Sequence, residues 1–332
     1  PSAAAARIEG SKVFAKELLR QAGVPTAAFE VFDDPDAADR YLRAQGAPIV
    51  VKADGLAAGK GALVCQTLAE AHQGIDAIMR QRCFGDSGRR VVIEECLSGP
   101  EVSVMALVDG ETVVALPVSQ DHKRALDDDR GLNTGGMGAY SPVPRFSEAV
   151  IEQILETCLR PTARALVAAG APYQGVLYGG YMLTAQGPMT IEYNCRFGDP
   201  ETQVVVPRIE GDLSEILLAA ASGRLAEVKV GIAANAAVCV VMASGGYPGD
   251  YQTGLPIAGL EAVAAMDEVM VFHAGTRRAG DQVVTAGGRV LGVTATGPDL
   301  PATIDRAYEA VARIDWPNCH YRRDIARQAR EV

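Results

Sequence analysis

The chain has 332 residues, 48% hydrophobic and 22% charged, with a formal net charge of −10. That composition describes a globular protein of more than one domain. It offers no basic excess for nucleic acid and no apolar run approaching the ~20 residues that span a bilayer, so neither partner is expected.

The first ten residues, PSAAAARIEG, lack the basic start and apolar core of a signal peptide. Residues 7–23 read as one helix ended by Gly23, and residues 37–46 as a second ended by Gly46. PIVVKA and ALVCQ are β-rich runs flanking a glycine-rich loop, and LAEAHQGIDAIMRQ is helical. RVVIEEC and EVSVMALVDG are strands, the second paired through its DG turn with ETVVALPV. Residues 119–144, rich in glycine and charge, read as a long loop of the kind that serves as a lid. Residues 148–170 form a helix kinked or broken at Pro161, and residues 175–194 a hairpin around Gln186-Gly187. DLSEILLAAASGRL is helical. From about residue 235 strands alternate with turns before the helix PATIDRAYEAVARI, which places a domain boundary near 230. Seven scattered cysteines without a C-x-x-C pair predict reduced thiols and a cytoplasmic chain, and four unclustered histidines predict no zinc.

Three stretches carry chemistry. The first is IVVKADGLAAGKGALV, residues 49–64. It fails the Walker pattern, since Gly55 to Gly59 is one residue short and Gly61 follows Lys60 where a hydroxyl is needed for magnesium. A strand follows the loop, so it reads as a hairpin flap whose backbone N–H groups can face phosphate oxygens, with Lys52 and Lys60 supplying charge. A surface hairpin with solvated lysines fits the same residues. The second is TIEYNCRFGDPETQ, residues 190–203. Side chains two apart on a strand share a face, which groups Glu192, Asn194 and Arg196. Carboxylate and amide oxygens are hard ligands suited to Mg²⁺ on nucleotide phosphates, and an arginine beside them can hold a phosphoryl group. A half-exposed strand with an Arg–Glu pair is the alternative. The third is VIEECLSGPEVSV, residues 92–104, where Glu94, Glu95 and Glu101 are edge charges or the acids of a hinge that meets a purine and its ribose.

In this order the three stretches resemble an ATP-grasp enzyme. With EGSK, VKADGLAAGKG, SQDHKR, NTGGMGAYSP, NCRFGDPETQ and GGYPGDY, nearly the whole chain, from Arg7 to Asp324, is similar to the phosphoribosylamine–glycine ligase (glycinamide ribonucleotide synthetase) family. The resemblance implies an α+β class: an ATP-grasp fold of two α+β subdomains gripping ATP, plus a small, mainly β C-terminal domain. The segments would be a helix leading in (1–25), a small subdomain with the flap (26–97), a large subdomain with the metal site (98–232) and the C-terminal domain (233–332). It implies that Lys12, Lys52 and Lys60 lie near ATP phosphates, and that Gly55, Gly59 and Gly61 let the flap close. Glu94, Glu95 and Leu97 would line the adenine hinge, and Glu101 would hold the ribose. Glu192 and Asn194 would bind Mg²⁺ or Mn²⁺, with Arg196 the catalytic residue at the γ-phosphate and acyl phosphate. Asp121, His122, Lys123, Asn133, Thr134, Gly135, Gly136, Met137 and Asp199 would face the acceptor. His122 is either a structural or solvated histidine or a proton carrier; His72, His273 and His320 are taken as structural.

The implied reaction joins glycine to 5-phosphoribosylamine through glycyl phosphate, with ATP converted to ADP and phosphate. The implied partners are those three small molecules; the residues do not speak to oligomeric state. The family also carries, before EGSK, a domain of about 100 residues that helps bind the acceptor's ribose phosphate, whereas this sequence starts at Pro1. Gly180 stands where many ATP-grasp proteins have an acid, which leaves more of the metal binding to Glu192 and Asn194. Leu132 and Ala326 replace an expected proline and glycine. Rival readings are another ATP-grasp carboxylate–amine ligase and a non-catalytic nucleotide-binding module.

Overall fold

A computed structural model describes residues 1–57 and 61–330. Contacts group the chain into two interleaved units. The first comprises residues 1–115, 148–196 and 214–229; the second comprises 116–147, 197–213 and 230–332. The crossing at 229/230 is one of several between the units, because two earlier segments join the C-terminal part.

In the first unit the expected helix 7–23 is two helices, Ala3–Gly10 and Lys12–Gln21. Ser11 is the break. Its backbone is extended, its Oγ accepts from Phe14 N at 3.1 Å, and the same hydroxyl donates to Asp54 Oδ1 at 2.7 Å. A serine that bonds nearby backbone competes with helix continuation and suits an N-cap. Asp54 completes this start, accepting from Lys12 N through its carbonyl (2.8 Å) and from Val13 N through its carboxylate (2.9 Å).

Two antiparallel four-stranded sheets make up most of the rest of this unit. The smaller has the spatial order Phe29–Phe32, Val91–Glu95, Ile49–Ala53, Ala62–Cys65. The flap is therefore a hairpin, with Lys52 opposite Ala62. Two helices, Pro35–Gln45 and Leu68–Ile75, and the π turn Asp76–Arg80 cover this sheet through Leu42, Ile75 and Ile78, in one buried cluster with Val51 and Ile93. The larger sheet runs Gly187–Asn194, Gln174–Thr184, Glu101–Asp109, Thr112–Ala115, with both expected tight turns present. Gly180 lies directly opposite Glu192. The helix at 148–168 is interrupted by a π turn at Leu155–Leu159, before Pro161 rather than at it. Pro161 then sits in the first turn of the next helix, where a missing N–H costs little.

The second unit is built on an antiparallel five-stranded sheet in the order Val269–His273, Arg289–Gly297, Ala236–Ala243, Gly138–Ser141, Gln120–Asp121. Helix Leu300–Val311 packs on its two longest strands. The expected long loop 119–144 is thus mostly paired. Besides the two sheet strands it contains the small hairpin Arg124–Leu126 and Arg130–Asn133. Its glycines and charges hide this from periodicity, because the pairing is made by backbone groups that any residue carries.

Arg322 anchors that hairpin. It is 1% exposed, and its guanidinium bonds both Asp324 oxygens at 2.7 Å, Asp129 Oδ1 at 2.7 Å and the Arg124 carbonyl at 3.1 Å. Burial opposes the Asp324 charge, but the guanidinium outweighs it and holds the carboxyl well below the usual range. Removing one member of such a buried pair strands the other. Arg322→Met is expected to cost about 3–5 kcal/mol in urea unfolding at pH 7. A carboxyl depressed in the folded state stabilises above its unfolded pKa of ~3.9 and loses that contribution as pH falls through the lower folded value. The gap between wild type and variant should therefore narrow below about pH 4; a gap constant from pH 7 to pH 3 would contradict the role of Asp324.

Candidate active site

The centre of the first unit is a buried charge cluster. Glu94 points inward from its strand, 3% exposed, and its Oε2 accepts from Lys52 Nζ at 2.9 Å and Lys16 Nζ at 3.0 Å. Burial raises the carboxyl pKa, but the two ammonium groups more than reverse this, so Glu94 stays ionised. Lys16 is pushed down to about 8, chiefly by burial and only partly restored by Glu94. Two cations against one anion leave an excess positive charge, suited to phosphate. Lys52 also donates to Ile191 O (3.3 Å), and Lys16 to Thr26 Oγ1 (2.7 Å), whose hydroxyl reaches Thr190 O (2.8 Å). The cluster thereby ties the flap sheet to the strand carrying Glu192 and Asn194. Glu94 Oε1 is buried without a hydrogen-bond partner.

Lys12, the first residue of its helix, donates to Gly55 O at 3.2 Å at the base of the flap. Burial lowers its pKa, with Glu192 the strongest opposing influence, so the ammonium and that carboxylate lie within electrostatic reach. Gly61 O accepts from Ala53 N at 2.8 Å and closes the flap's far end. Gly59 and Lys60 lie outside the described residues. Glu95 is exposed and accepts from Ala28 N through Oε1 at 2.9 Å. Leu97 is half-buried in the turn before the strand that Glu101 opens.

Glu192 and Asn194 are half-buried on one face of their strand, with buried Tyr193 on the other. Asn194 Nδ2 donates to Tyr193 O at 3.0 Å, which leaves its Oδ1 for a ligand. Among the described residues no group of three or more His, Cys, Asp or Glu side chains could hold a metal. Two hard oxygens without a cage fit an ion such as Mg²⁺, which keeps waters and takes further ligands from substrate phosphates. Arg196 departs from the expected pattern. The strand ends at Asn194, so Arg196 lies past it, its side chain 60% exposed and its Nε 3.7 Å from Glu9 Oε1. Glu9 Oε2 accepts from Cys195 N at 2.7 Å, so the glutamate of EGSK positions this turn.

The remaining expected residues lie in the second unit. Lys123 Nζ donates to Asp121 Oδ1 at 3.1 Å. Thr134 shapes the glycine-rich turn: its Oγ1 donates to Lys123 O at 2.9 Å and accepts from Gly136 N at 2.9 Å. Asn133 is exposed at the end of the small hairpin. Met137 is fully buried, and its side chain packs in the core. His122 is buried, and burial lowers its pKa, so the ring is neutral at pH 7; its Nδ1 has no hydrogen-bond partner and its Nε2 lies 3.4 Å from Gln328 Oε1. Asp199 pairs with Arg289 at 3.1 Å.

The profile of the phosphoribosylglycinamide synthetase ATP-grasp (A) domain matches residues 10–202, and that of the C domain of the same synthetase matches residues 237–328. A phosphoribosylamine–glycine ligase of Allochromatium vinosum is 50% identical over 330 residues, covering 99% of this chain and 77% of that protein. One from Rhodopirellula baltica is 48% identical over 336 residues, with 99% and 77% coverage. The chain belongs to the phosphoribosylglycinamide synthetase family.

Its fold is accordingly ATP-grasp with a C-terminal domain. The crystal structure of phosphoribosylamine–glycine ligase from Thermotoga maritima superposes with a TM-score of 0.86 at 38% identity, covering 97% of this chain and 80% of that one. The biotin carboxylase domain of Hydrogenobacter thermophilus 2-oxoglutarate carboxylase, solved with MgADP, shares the fold at 15% identity (TM-score 0.73, 95% and 68% coverage). Lys16, Glu9, Asp54 and Arg289 were passed over in motif reading, yet they bond or pair with Glu94, Cys195, Val13 and Asp199 beside the expected residues. A signal existed for two of them. Glu9 and Asp54 sit inside EGSK and VKADG, yet only the lysines and glycines there suggested phosphate chemistry.

Lys16 supplies a pH test. The folded chain releases its proton near pH 8 and the unfolded chain near ~10.4, so between these values the unfolded state holds more protons and stability rises with pH. Thermal unfolding from pH 7 to 10 is expected to show wild type gaining on Lys16→Met across that window. A parallel pair of curves would remove Lys16 from the buried cluster.

Proposed function

We propose that the chain ligates glycine to 5-phosphoribosylamine with ATP, through glycyl phosphate, releasing ADP and phosphate as glycinamide ribonucleotide forms. The observation that carries this reading is the identity of 48–50% along almost the whole chain to ligases of that name, with the phosphate-directed lysines and hard oxygen ligands gathered in one unit. Glycine's carboxylate is a poor electrophile. Its oxygen attacks the γ-phosphorus and ADP departs; the amine nitrogen then attacks the carbonyl carbon, phosphate leaves and the nitrogen sheds a proton.

For the protein this chemistry is mostly placement and charge stabilisation. Lys12 and Lys52, with Lys60 on the flap, neutralise ATP phosphates. Glu94 holds Lys52 in place. Glu95, Leu97 and Glu101 border the adenosine, and the flap glycines Gly55, Gly59 and Gly61 let it close and exclude water from the acyl phosphate. Glu192 and Asn194 hold the divalent cation, magnesium or manganese, which supplies charge stabilisation at the phosphates. Arg196, steered by Glu9, steadies the transferring phosphoryl group. Asp121, His122, Lys123, Asn133 to Gly136 and Asp199 serve the acceptor side, His122 as a neutral ring. All seven cysteines are free, in keeping with a reducing, cytoplasmic setting. No helix among the described residues is long and apolar enough to cross a membrane.

Two measurements test the reading. Mg-ATP at millimolar concentration is expected to raise the melting temperature, as any ligand of the folded state must; no shift would remove the nucleotide site. Glu192→Ala and Arg196→Ala are each expected to lower glycine-dependent ADP release by about 10²-fold or more with the melting temperature held. Wild-type rates in both variants would overturn the site.

A further inference from the structure

The motif GGYPGDY and the strand starting at Arg289 both belong to the C-terminal part of the chain. Both reach the glycine-rich turn within the second unit. Arg289 Nη1 donates to Gly135 O at 3.0 Å, Gly136 O at 3.3 Å and Asp199 O at 2.8 Å. The Asp199 carboxylate takes Nη1 at 3.3 Å and Nη2 at 3.1 Å. Tyr247 approaches from its own loop, and its hydroxyl accepts from Gly135 N at 3.2 Å.

Sequence details make room for this arrangement. Gly136 has φ +115°, and a Cβ there would lie 2.4 Å from Pro200 Cδ, so the turn and the Asp199 segment close on each other only with glycine. A Cβ on Gly288 would lie 2.2 Å from the Tyr247 ring, so the residue before Arg289 yields its space to that tyrosine. Ser244 fixes the same strand start, its Oγ donating to Gly287 O and its N to Gly288 O at 2.8 Å each. Gln203 Nε2 holds Asp199 Oδ1 at 2.9 Å from the other side.

We infer that Arg289 and Tyr247 are positioning residues for the amine-acceptor half of the reaction, locking Gly135, Gly136 and the Asp199 carboxylate into one rigid group. Planar geometry explains the choice of arginine. A guanidinium presents several donors in a fixed fork and can bridge backbone carbonyls to a carboxylate, which the single ammonium of lysine cannot do. Asp199 stays 51% exposed while held in one orientation, so the lock fixes a carboxylate that a substrate can still meet. A rigid turn places its N–H groups in advance, and catalytic groups fixed before binding save the cost of ordering them at reaction. This inference rests on the proposed ligase reading.

Two variants in the full-length protein separate the possibilities: Arg289→Lys, which keeps charge but loses the fork, and Tyr247→Phe, which loses only a hydroxyl. Both are expected to raise KM for glycine or phosphoribosylamine by about tenfold, with KM for ATP within about twofold. Hydrogen exchange should quicken by about tenfold at the Gly135 and Gly136 amides and stay unchanged in the five-stranded sheet. KM for ATP rising in step with the other two would mark a merely structural brace and overturn the inference, as would unchanged exchange at the turn. If wild type releases no ADP with glycine, the ligase reading fails, and the exchange measurement alone decides the positioning.

Discussion

One carboxylate oxygen organises the first unit. Glu94 Oε2 receives both Lys16 and Lys52 inside the protein, where burying any of the three charges alone would be prohibitive. Each lysine then reaches beyond the pair, to Ile191 O and to Thr26, so the strand with Glu192 and Asn194 is registered against the strand with Lys52. A buried ion pair is weak evidence for stability, because desolvation offsets much of its attraction. Its value here is positional.

Elements whose signal is local were legible in the sequence. The flap was readable as a hairpin because β-rich runs flank its glycines on both sides, and the alternation of Glu192, Tyr193 and Asn194 gave their two faces. Arg196 was misplaced because alternation holds only while the strand lasts, and this one stops at Asn194. The split of the first helix at Ser11 depends on Asp54, more than forty residues away, and no window along the chain contains both. Lys16 reads as one more solvated helical lysine until Glu94 is brought beside it. The segment 119–144 looked like a lid since one of its strands, Gly138–Ser141, finds a partner a hundred positions further on, and glycines and charges mask the rest of its pairing.

The glycine-rich turn illustrates how small residues and large ones divide a task. Gly136 and Gly288 contribute by absence, leaving room for Pro200 and for the Tyr247 ring. Arg289 and Tyr247 contribute what those glycines cannot, donors and an acceptor for groups that carry no side chain of their own. Conformational freedom in the glycines would otherwise be a cost, since a turn without side chains has many states to lose.

The interleaving of the two units also sets an order of events at birth. Strand Gly138–Ser141 pairs with Ala236–Ala243, which in turn pairs with Arg289–Gly297. Strand Gly138–Ser141 therefore emerges from the ribosome long before its partner Ala236–Ala243 exists, while the flap sheet, complete by residue 95, has its strands in hand early. A nascent chain would carry Lys16 and Lys52 on a nearly finished scaffold and one edge of the segment 119–144 unpaired. Such late, non-local closure is slow and leaves edges exposed. The cell's quality-control machinery would meet this protein chiefly through that waiting segment.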